Sequence, residues 1–245
     1  MAPSDHVNRF IRKLESIATL SDDEKQALCD LPMRLKAIDA DQDIVREGDR
    51  PNECCLILEG FVCRYMMLDD GRRQILSFHT PGDIPDLQSL HLKVMDHSIG
   101  TLAPSSVAFI PHKSLHELND RYPRIAGTLW RDTLIDAAIF RLWMVGLGRK
   151  SAYERISHLL CELQMRLRAV GLTNDHSYQL PLTQSELADA TGISTVHVNR
   201  VLQDLKKDGL VTFQNGSLVI EDWEGLKKAG EFDPTYLHLD PGEVT

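Results

Sequence analysis

Residues 183–205 have the sequence TQSELADATGISTVHVNRVLQDL, which predicts two helices joined by a tight turn. Thr183 and Glu186 have the spacing of a capping box, in which each side chain accepts a hydrogen bond from the backbone N–H of the other residue. Gly192 is placed to end the first helix in a left-handed conformation, and Ser194 is placed to cap the second helix. The pattern is typical of a helix-turn-helix.

The second helix, predicted over residues 194–206, has two different faces. One face carries apolar side chains at helical spacing, namely Val198, Val201, Leu202 and Leu205. The opposite face carries Val196, Asn199, Arg200 and Gln203. Arginine can form two hydrogen bonds to guanine, Asn and Gln can do so with adenine, and Val can contact the methyl group of thymine. The outer face therefore suits the major groove of DNA.

A short hairpin is predicted directly after this helix. Residues 210–214 and 217–220 flank Asn215-Gly216, a dipeptide that favours a type I′ turn. A hairpin in this place would be the wing of a winged helix. The predicted DNA contacts are Thr183, Gln184, Ser194, Thr195, Val196, His197, Asn199, Arg200 and Gln203, with Arg200 on guanine and Gln184 and Ser194 on phosphates.

The charge balance limits how the chain could bind DNA. From residue 182 to 213 three basic side chains stand against four acidic ones, and the formal net charge of the whole chain is −9. Any attraction to phosphates must therefore be local, and a general polyanion binder is not expected. A winged helix that binds protein instead of DNA stays an alternative.

Length and composition predict a two-domain protein that acts in the cytoplasm. The chain has 245 residues, of which 42% are hydrophobic, enough to fill two cores. We find neither a signal peptide nor an apolar run long enough for a bilayer, so no membrane partner is expected. Five cysteines without C-x-x-C spacing favour reduced thiols, although Cys55 and Cys63 could meet across a hairpin.

The amino-terminal half changes from helical to strand patterns. Residues 7–31 predict one or two short helices. From Ile38 to Ile110, short apolar runs alternate with Gly-containing turns, the longest runs being 54–58, 61–65, 74–78 and 106–110. Many short strands at this spacing predict an antiparallel β-roll of jelly-roll type.

A long helix is predicted from Pro123 to Leu147. It carries more apolar residues than one face can hold, so it must bury two sides, one against the roll and one against a second copy of the chain. Gly146 and Gly148 predict a hinge, and Ser151 is placed to cap a following helix that ends near Val170.

The segments Leu180–Gly192 and Ser194–Arg200 resemble the Crp/Fnr family of bacterial transcription regulators. The resemblance implies an α+β fold with a β-roll sensor over residues 1–121, a dimerisation helix and hinge over 122–148, and a winged helix-turn-helix with a tail over 149–245. It also implies a homodimer on a palindromic operator, with RNA polymerase as a further partner if the protein is an activator. Where family members commonly have Glu, this chain has Val196, which implies a different base at that position, for example thymine.

The resemblance also locates a candidate effector pocket. Members that bind cAMP hold the ribose with a Gly-Glu pair, the cyclic phosphate with Arg-Ser, and adenine with Thr-Ser on the long helix. The corresponding residues here are Gly82, Asp83, His97, Ser98, Phe140 and Arg141. Because the arginine that would hold the phosphate is missing, we expect no tight cAMP binding. An unknown apolar or anionic effector, or none, is expected instead.

We expect no metal, no cofactor and no enzyme activity. Some family members hold an iron–sulfur cluster through cysteines near the amino terminus, where this chain has only Cys29. Of the five histidines in and after the roll, only His112 and His116 have a spacing that could place both on one helix face. The alternative of a cupin-like metal enzyme is disfavoured because the chain contains no His-x-His pair.

Overall fold

The computed structural model describes residues 3–214 and 216–239. Two helices come first, α1 (Pro3–Glu15) and α2 (Asp22–Cys29). Ser21 and Glu24 form a capping box at the start of α2, so the two short helices predicted for this region are confirmed.

Seven strands then form a roll of two antiparallel sheets. They are β1 (Arg34–Ile38), β2 (Asp43–Val45), β3 (Glu53–Glu59), β4 (Val62–Met67), β5 (Arg73–His79), β6 (Ser98–Thr101) and β7 (Ser105–Pro111). One sheet has the order β1-β7-β3 and the other β2-β6-β4-β5. A 3-10 turn lies between β5 and β6, at Leu87–Leu90. The predicted antiparallel roll is confirmed, and its core includes Leu56, Ile57, Phe78, Ile99 and Ile110.

The cysteine prediction fails in one respect. Cys55 and Cys63 do not meet across a hairpin, because β3 pairs with β7 whereas β4 pairs with β5 and β6. All five cysteines are free thiols, and four of them are buried. Burial raises the pKa of Cys63 to about 12, so this thiol is unreactive at neutral pH.

Three helices follow the roll, α3 (His112–Arg121), α4 (Pro123–Arg149) and α5 (Ala152–Ala169). The 27 residues of α4 span about 40 Å. One side of α4 is buried through Ile125, Leu129, Ile135 and Ile139. Another side exposes the large apolar residues Trp130, Leu134, Met144 and Val145. Helix α4 therefore has two apolar sides, as predicted. One side is buried in the core and the other is exposed to solvent.

The hinge predicted at Gly146 and Gly148 stays a prediction. Both glycines are helical, α4 ends at Arg149, and the capping residue Lys150 has an extended backbone with φ −90° and ψ 148°. The side chain of Arg155 packs beside Gly146, and Arg155 Nη1 donates to the carbonyl of Lys150 at 2.8 Å. The close return of α5 thus holds the end of α4. Ser151 caps α5 through a capping box with Glu154, as predicted.

The carboxy-terminal unit contains a helix-turn-helix and a four-stranded sheet. Its elements are β8 (Thr173–Asn174), β9 (Ser177–Gln179), α6 (Gln184–Thr191), α7 (Thr195–Lys207), β10 (Val211–Gln214), β11 (Ser217–Ile220) and α8 (Trp223–Gly230). The sheet order is β10-β11-β9-β8. The predicted wing is therefore the outer half of a larger sheet, whose other two strands precede the helix-turn-helix in the chain.

Helix α5 forms the centre of this unit and is buried along most of its length. Helix α8 packs against α5 so closely that a Cβ on Gly230 would lie 2.5 Å from the backbone nitrogen of His158. The 3-10 turn Pro234–Leu237 then places the hydroxyl of Tyr236 2.9 Å from Glu162 Oε2. In the described part of the chain, no helix is both long and apolar enough to cross a membrane.

We predict that Gly230→Ala lowers the free energy of unfolding by about 1–3 kcal/mol, because the added methyl group must push α8 away from the backbone of α5. Lys228→Ala, which shortens an exposed side chain of α8, is the control and should change the free energy of unfolding by less than about 0.5 kcal/mol. Urea unfolding followed by circular dichroism measures both. Similar effects of the two variants would show that α8 is not tightly packed on α5.

Candidate nucleic-acid interface and effector cavity

The first helix of the helix-turn-helix begins and ends as its sequence predicts. The backbone N–H of Thr183 donates to Glu186 Oε2 at 2.6 Å, and the N–H of Glu186 donates to Thr183 Oγ1 at 3.2 Å. Gly192 has φ 67° and ψ 34°, and its N–H donates to the carbonyl of Ala188. The left-handed residue ends α6 and turns the chain into α7, so the predicted capping box and turn are confirmed.

The second helix presents the predicted outer face to solvent. Ser194 Oγ accepts a hydrogen bond from the N–H of His197, which starts α7. Val198, Val201 and Leu205 are buried, and the side chain of Val196 is 72% exposed. All nine predicted DNA contacts are exposed, namely Thr183, Gln184, Ser194, Thr195, Val196, His197, Asn199, Arg200 and Gln203. Asn199 Nδ2 donates to Gln184 Oε1 at 3.3 Å and so links the two helices.

The guanidinium of Arg200 is free to contact a ligand. Within residues 3–214 and 216–239 it has no carboxylate within 4 Å and no hydrogen-bond acceptor. Free and exposed donors on this face are what a base edge or a phosphate requires.

The acidic residues of the helix-turn-helix should repel DNA phosphates less than their number in the sequence suggests. Glu186 is buried in its capping box, and Asp189 is paired with Arg73 of the roll at 2.9 Å. Asp208 accepts a hydrogen bond from the hydroxyl of Tyr153 at 2.7 Å. Three of the four carboxylates thus have partners inside the chain. Sequence reasoning missed these pairs because Arg73 and Tyr153 lie far away along the chain.

The wing has the predicted length. Gln214 pairs with Ser217 across β10 and β11, so two residues connect the strands, and Gly216 has φ 78°. The predicted turn type depends also on Asn215, which lies outside the described residues.

A cavity of about 340 Å³ lies where the roll meets α1, α4 and α5. It brings together three of the six predicted pocket residues, Asp83, His97 and Phe140. The other three do not line it. Gly82 packs against the backbone of Arg9, Arg141 is exposed on α4, and the hydroxyl of Ser98 accepts from the N–H of Glu47 at 3.0 Å.

A buried cluster of ion pairs fills one wall of this cavity. Asp83 accepts hydrogen bonds from Lys13 Nζ and from Arg166 Nη2, each at 2.9 Å. Burial alone would raise the pKa of Asp83, but the two cations outweigh it and hold that pKa well below its usual range. Asp136 of α4 pairs with Arg64 of β4. The three ion pairs, Lys13 and Arg166 with Asp83 and Arg64 with Asp136, were not predicted from the sequence.

The cavity offers little to an anionic ligand. Its cations Lys13, Arg64 and Arg166 are each bound to a carboxylate. His97 Nδ1 lies 2.7 Å from Asp96, and burial lowers its pKa, so it stays neutral above pH 7.

The histidines of the roll form contacts with protein groups. His79 Nε2 lies 2.8 Å from Ser77 Oγ, and its Nδ1 lies 3.6 Å from Asp83. His112 Nε2 lies 2.9 Å from Ser89 Oγ. The rings of His91 and His116 meet edge to face. In the part of the chain that the structure describes, no three His, Cys, Asp or Glu side chains are grouped as metal ligands.

Two family models match the two halves of this architecture. The model of the Crp-like helix-turn-helix domain matches residues 154–229, and that of the cyclic nucleotide-binding domain matches residues 35–122. Together they match more than half of the chain. The chain belongs to the Crp/Fnr family. It is a DNA-binding transcription regulator.

Relatives within the Crp/Fnr family share most of their length with this chain. The transcriptional activator protein FnrA of Stutzerimonas stutzeri is 26% identical over 208 residues, which are 85% of each chain. The transcriptional activator protein anr of Pseudomonas aeruginosa is 24% identical over 204 residues, 83% of each chain. The solved structure of FixK2 from Bradyrhizobium japonicum is 26% identical, with a TM-score of 0.74 over 81% of this chain and 98% of FixK2. FnrA and anr are both named as transcriptional activators.

We predict a pH dependence of stability that originates in the cavity. Burial, with Arg64 nearby, lowers the pKa of His79 to about 4. In the unfolded chain a histidine has a pKa near 6.5. Below that pH the unfolded chain binds a proton at this residue, whereas the folded chain does not, so the free energy of unfolding decreases as the pH falls. This residue alone should remove about 2 kcal/mol between pH 7 and pH 5.

Urea unfolding of the wild type and of His79→Gln at the two pH values tests this. The variant should lose less stability on acidification, whereas His91→Gln, which alters an exposed histidine, should behave as the wild type. Equal losses in the wild type and His79→Gln would show that His79 is not held neutral by the fold.

Proposed function

We propose that this chain is a homodimer that recognises a palindromic DNA operator through α7. The observation that carries the proposal is the exposed guanidinium of Arg200, which has no partner among the described residues, on a helix whose opposite face is buried. Two copies related by a twofold axis would place two such helices in successive major grooves, about 34–36 Å apart.

Each predicted contact has a proposed role. Arg200 forms two hydrogen bonds to guanine, and Val196, which is exposed beside it, contacts the methyl group of thymine. Gln184 and Ser194, at the starts of α6 and α7, contact phosphates. Asn199 and Gln203 extend the base contacts along α7, and Thr195 and His197 contact either base or backbone.

The same proposal assigns a role to each part of the chain. Residues 1–121 form the sensor unit, 122–148 the dimerisation helix, and 149–245 the DNA-binding unit. Activation would require a contact with RNA polymerase, and the two relatives named above are called transcriptional activators. A DNA partner places the protein in the cytoplasm.

We further propose that the sensor unit does not bind cAMP tightly. A cyclic phosphate needs a free cation, whereas Arg64 and Arg166 are engaged with Asp136 and Asp83. Asp83, which takes the place of the ribose-binding carboxylate, is itself neutralised by Lys13. Any effector of this cavity would need a chemistry different from that of a cyclic phosphate, or would have to break the ion pairs of Asp83 and Asp136.

Selection of operators from a randomised duplex pool, at two salt concentrations, tests the DNA proposal. The wild type should enrich one palindrome. Arg200→Ala should cost about 1–3 kcal/mol at one base pair of each half-site and relax the preference only there. Gln184→Ala should weaken all sequences equally, because phosphates carry no base identity.

Lys228→Ala is the matched control, since it removes an exposed cation of α8. It should leave both affinity and preference unchanged. Uniform weakening by Arg200→Ala would mark Arg200 as a phosphate contact, and the absence of any enriched sequence would favour a winged helix that binds protein.

The dimer proposal predicts that Leu134→Glu separates the two chains. Leu134 is 48% exposed in the isolated chain and lies on the open apolar side of α4. Burying a carboxylate there should cost the dimer about 2–3 kcal/mol or more. Sedimentation velocity would then show a monomer, with loss of palindrome binding.

Met67→Glu introduces the same charge at an exposed apolar residue of the roll and should leave the dimer intact. A wild type that sediments as a monomer at every concentration, with or without operator DNA, would rule out the dimer proposal.

A further inference from the structure

The open side of α4 has the spacing of a coiled-coil seam. Seven residues with alternating intervals of three and four lie along it, namely Gly127, Trp130, Leu134, Ala137, Arg141, Met144 and Gly148. Six of the seven are exposed, and Ala137 is half-buried. This alternation places all seven on one stripe of the helix, which is the stripe that packs against a partner helix in a two-stranded coiled coil. A second α4 is therefore the occupant that fits this surface.

One seam residue carries a charge. Arg141 lies between Ala137 and Met144, where its neighbours along the stripe are apolar. Among the described residues it has neither a carboxylate within 4 Å nor a hydrogen-bond acceptor. The two carboxylates nearest to it along α4 are already engaged, Asp136 with Arg64 and Asp132 with Lys13. The described part of the chain thus supplies no counter-ion for Arg141 at the seam.

A twofold axis brings the two copies of Arg141 to the same level. In a parallel, in-register pair of helices, each seam residue faces its own copy on the partner. Two guanidinium groups would then be partly desolvated beside each other, which is unfavourable for like charges. Each guanidinium has five N–H donors in a planar fork, and two such forks can share one oxyanion with several acceptor oxygens.

We infer that the paired Arg141 side chains form an oxyanion-binding site at the centre of the dimer interface, and that a bound oxyanion strengthens the dimer. The inference rests on the proposed pairing of two α4 helices. The ligand class is a small multivalent oxyanion, free or as the phosphate group of a metabolite, because one such group can neutralise two cations and accept hydrogen bonds from both.

Sedimentation of the full chain in inorganic phosphate and in sodium chloride, at matched ionic strength, tests the site. The dimer dissociation constant of the wild type should be several-fold lower in phosphate. Arg141→Leu should lower it about tenfold in chloride, since it removes the like charges and completes the apolar seam, and phosphate should have no further effect. Arg149→Leu, which removes an exposed arginine of α4 outside the stripe, should respond to phosphate as the wild type does.

The outcomes of this experiment distinguish failure of the oxyanion site from failure of the dimer. A wild-type dimer with the same dissociation constant in both salts, or the same response to phosphate in Arg141→Leu, overturns the oxyanion site. A weaker dimer in Arg141→Leu also overturns it, because Arg141 would then contact a carboxylate of the partner. If neither the wild type nor Arg141→Leu forms a dimer, the proposed function fails as well.

Discussion

The structure depends on one buried carboxylate, that of Asp83, and on the two cations that reach it. Lys13 comes from α1 and Arg166 from α5, so the contact joins the first helix of the chain, the roll and the centre of the DNA-binding unit. Arg166 is also held by Glu162, which is fully buried and accepts hydrogen bonds from Trp143 and Tyr236. Removing any member of such a network would leave a buried charge without a partner, which is costly. The units of this regulator are therefore linked by charge as well as by chain connectivity.

A second contact couples the roll to the helix-turn-helix itself. Arg73 of β5 pairs with Asp189 near the end of α6, and Gln74 donates to the carbonyl of the same residue at 2.8 Å. These bonds hold the end of α6 just before the turn that leads into α7. A movement of β5 would be transmitted to the surface that contacts DNA, since the intervening turn is short. Arg73 is the first residue of β5 and Asp83 lies four residues after its last, so the two ends of this strand contact the DNA-binding unit at two places.

The sequence was sufficient where structure is determined over a few residues. The capping box of Thr183, the left-handed Gly192 and the buried face of α7 depend on neighbours within one or two turns, and all three were predicted correctly. The ion pairs were not predictable, because Lys13 and Arg166 are separated from Asp83 by 70 and 83 residues. Gly146 and Gly148 remain helical because glycine weakens a helix only modestly, and Arg155 donates a hydrogen bond to Lys150 at the end of α4. The hinge at these glycines stays a prediction.

The strand β9 has a practical consequence for any attempt to isolate the DNA-binding unit. Its residues Ser177, Tyr178 and Gln179 pair with β11, and the hydroxyl of Tyr178 donates to the carbonyl of Leu160 inside α5. A fragment that starts at the capping residue of α6 would leave the inner edge of the hairpin without hydrogen-bond partners, and bare strand edges invite aggregation. A fragment that is to stay in solution must begin upstream of α5.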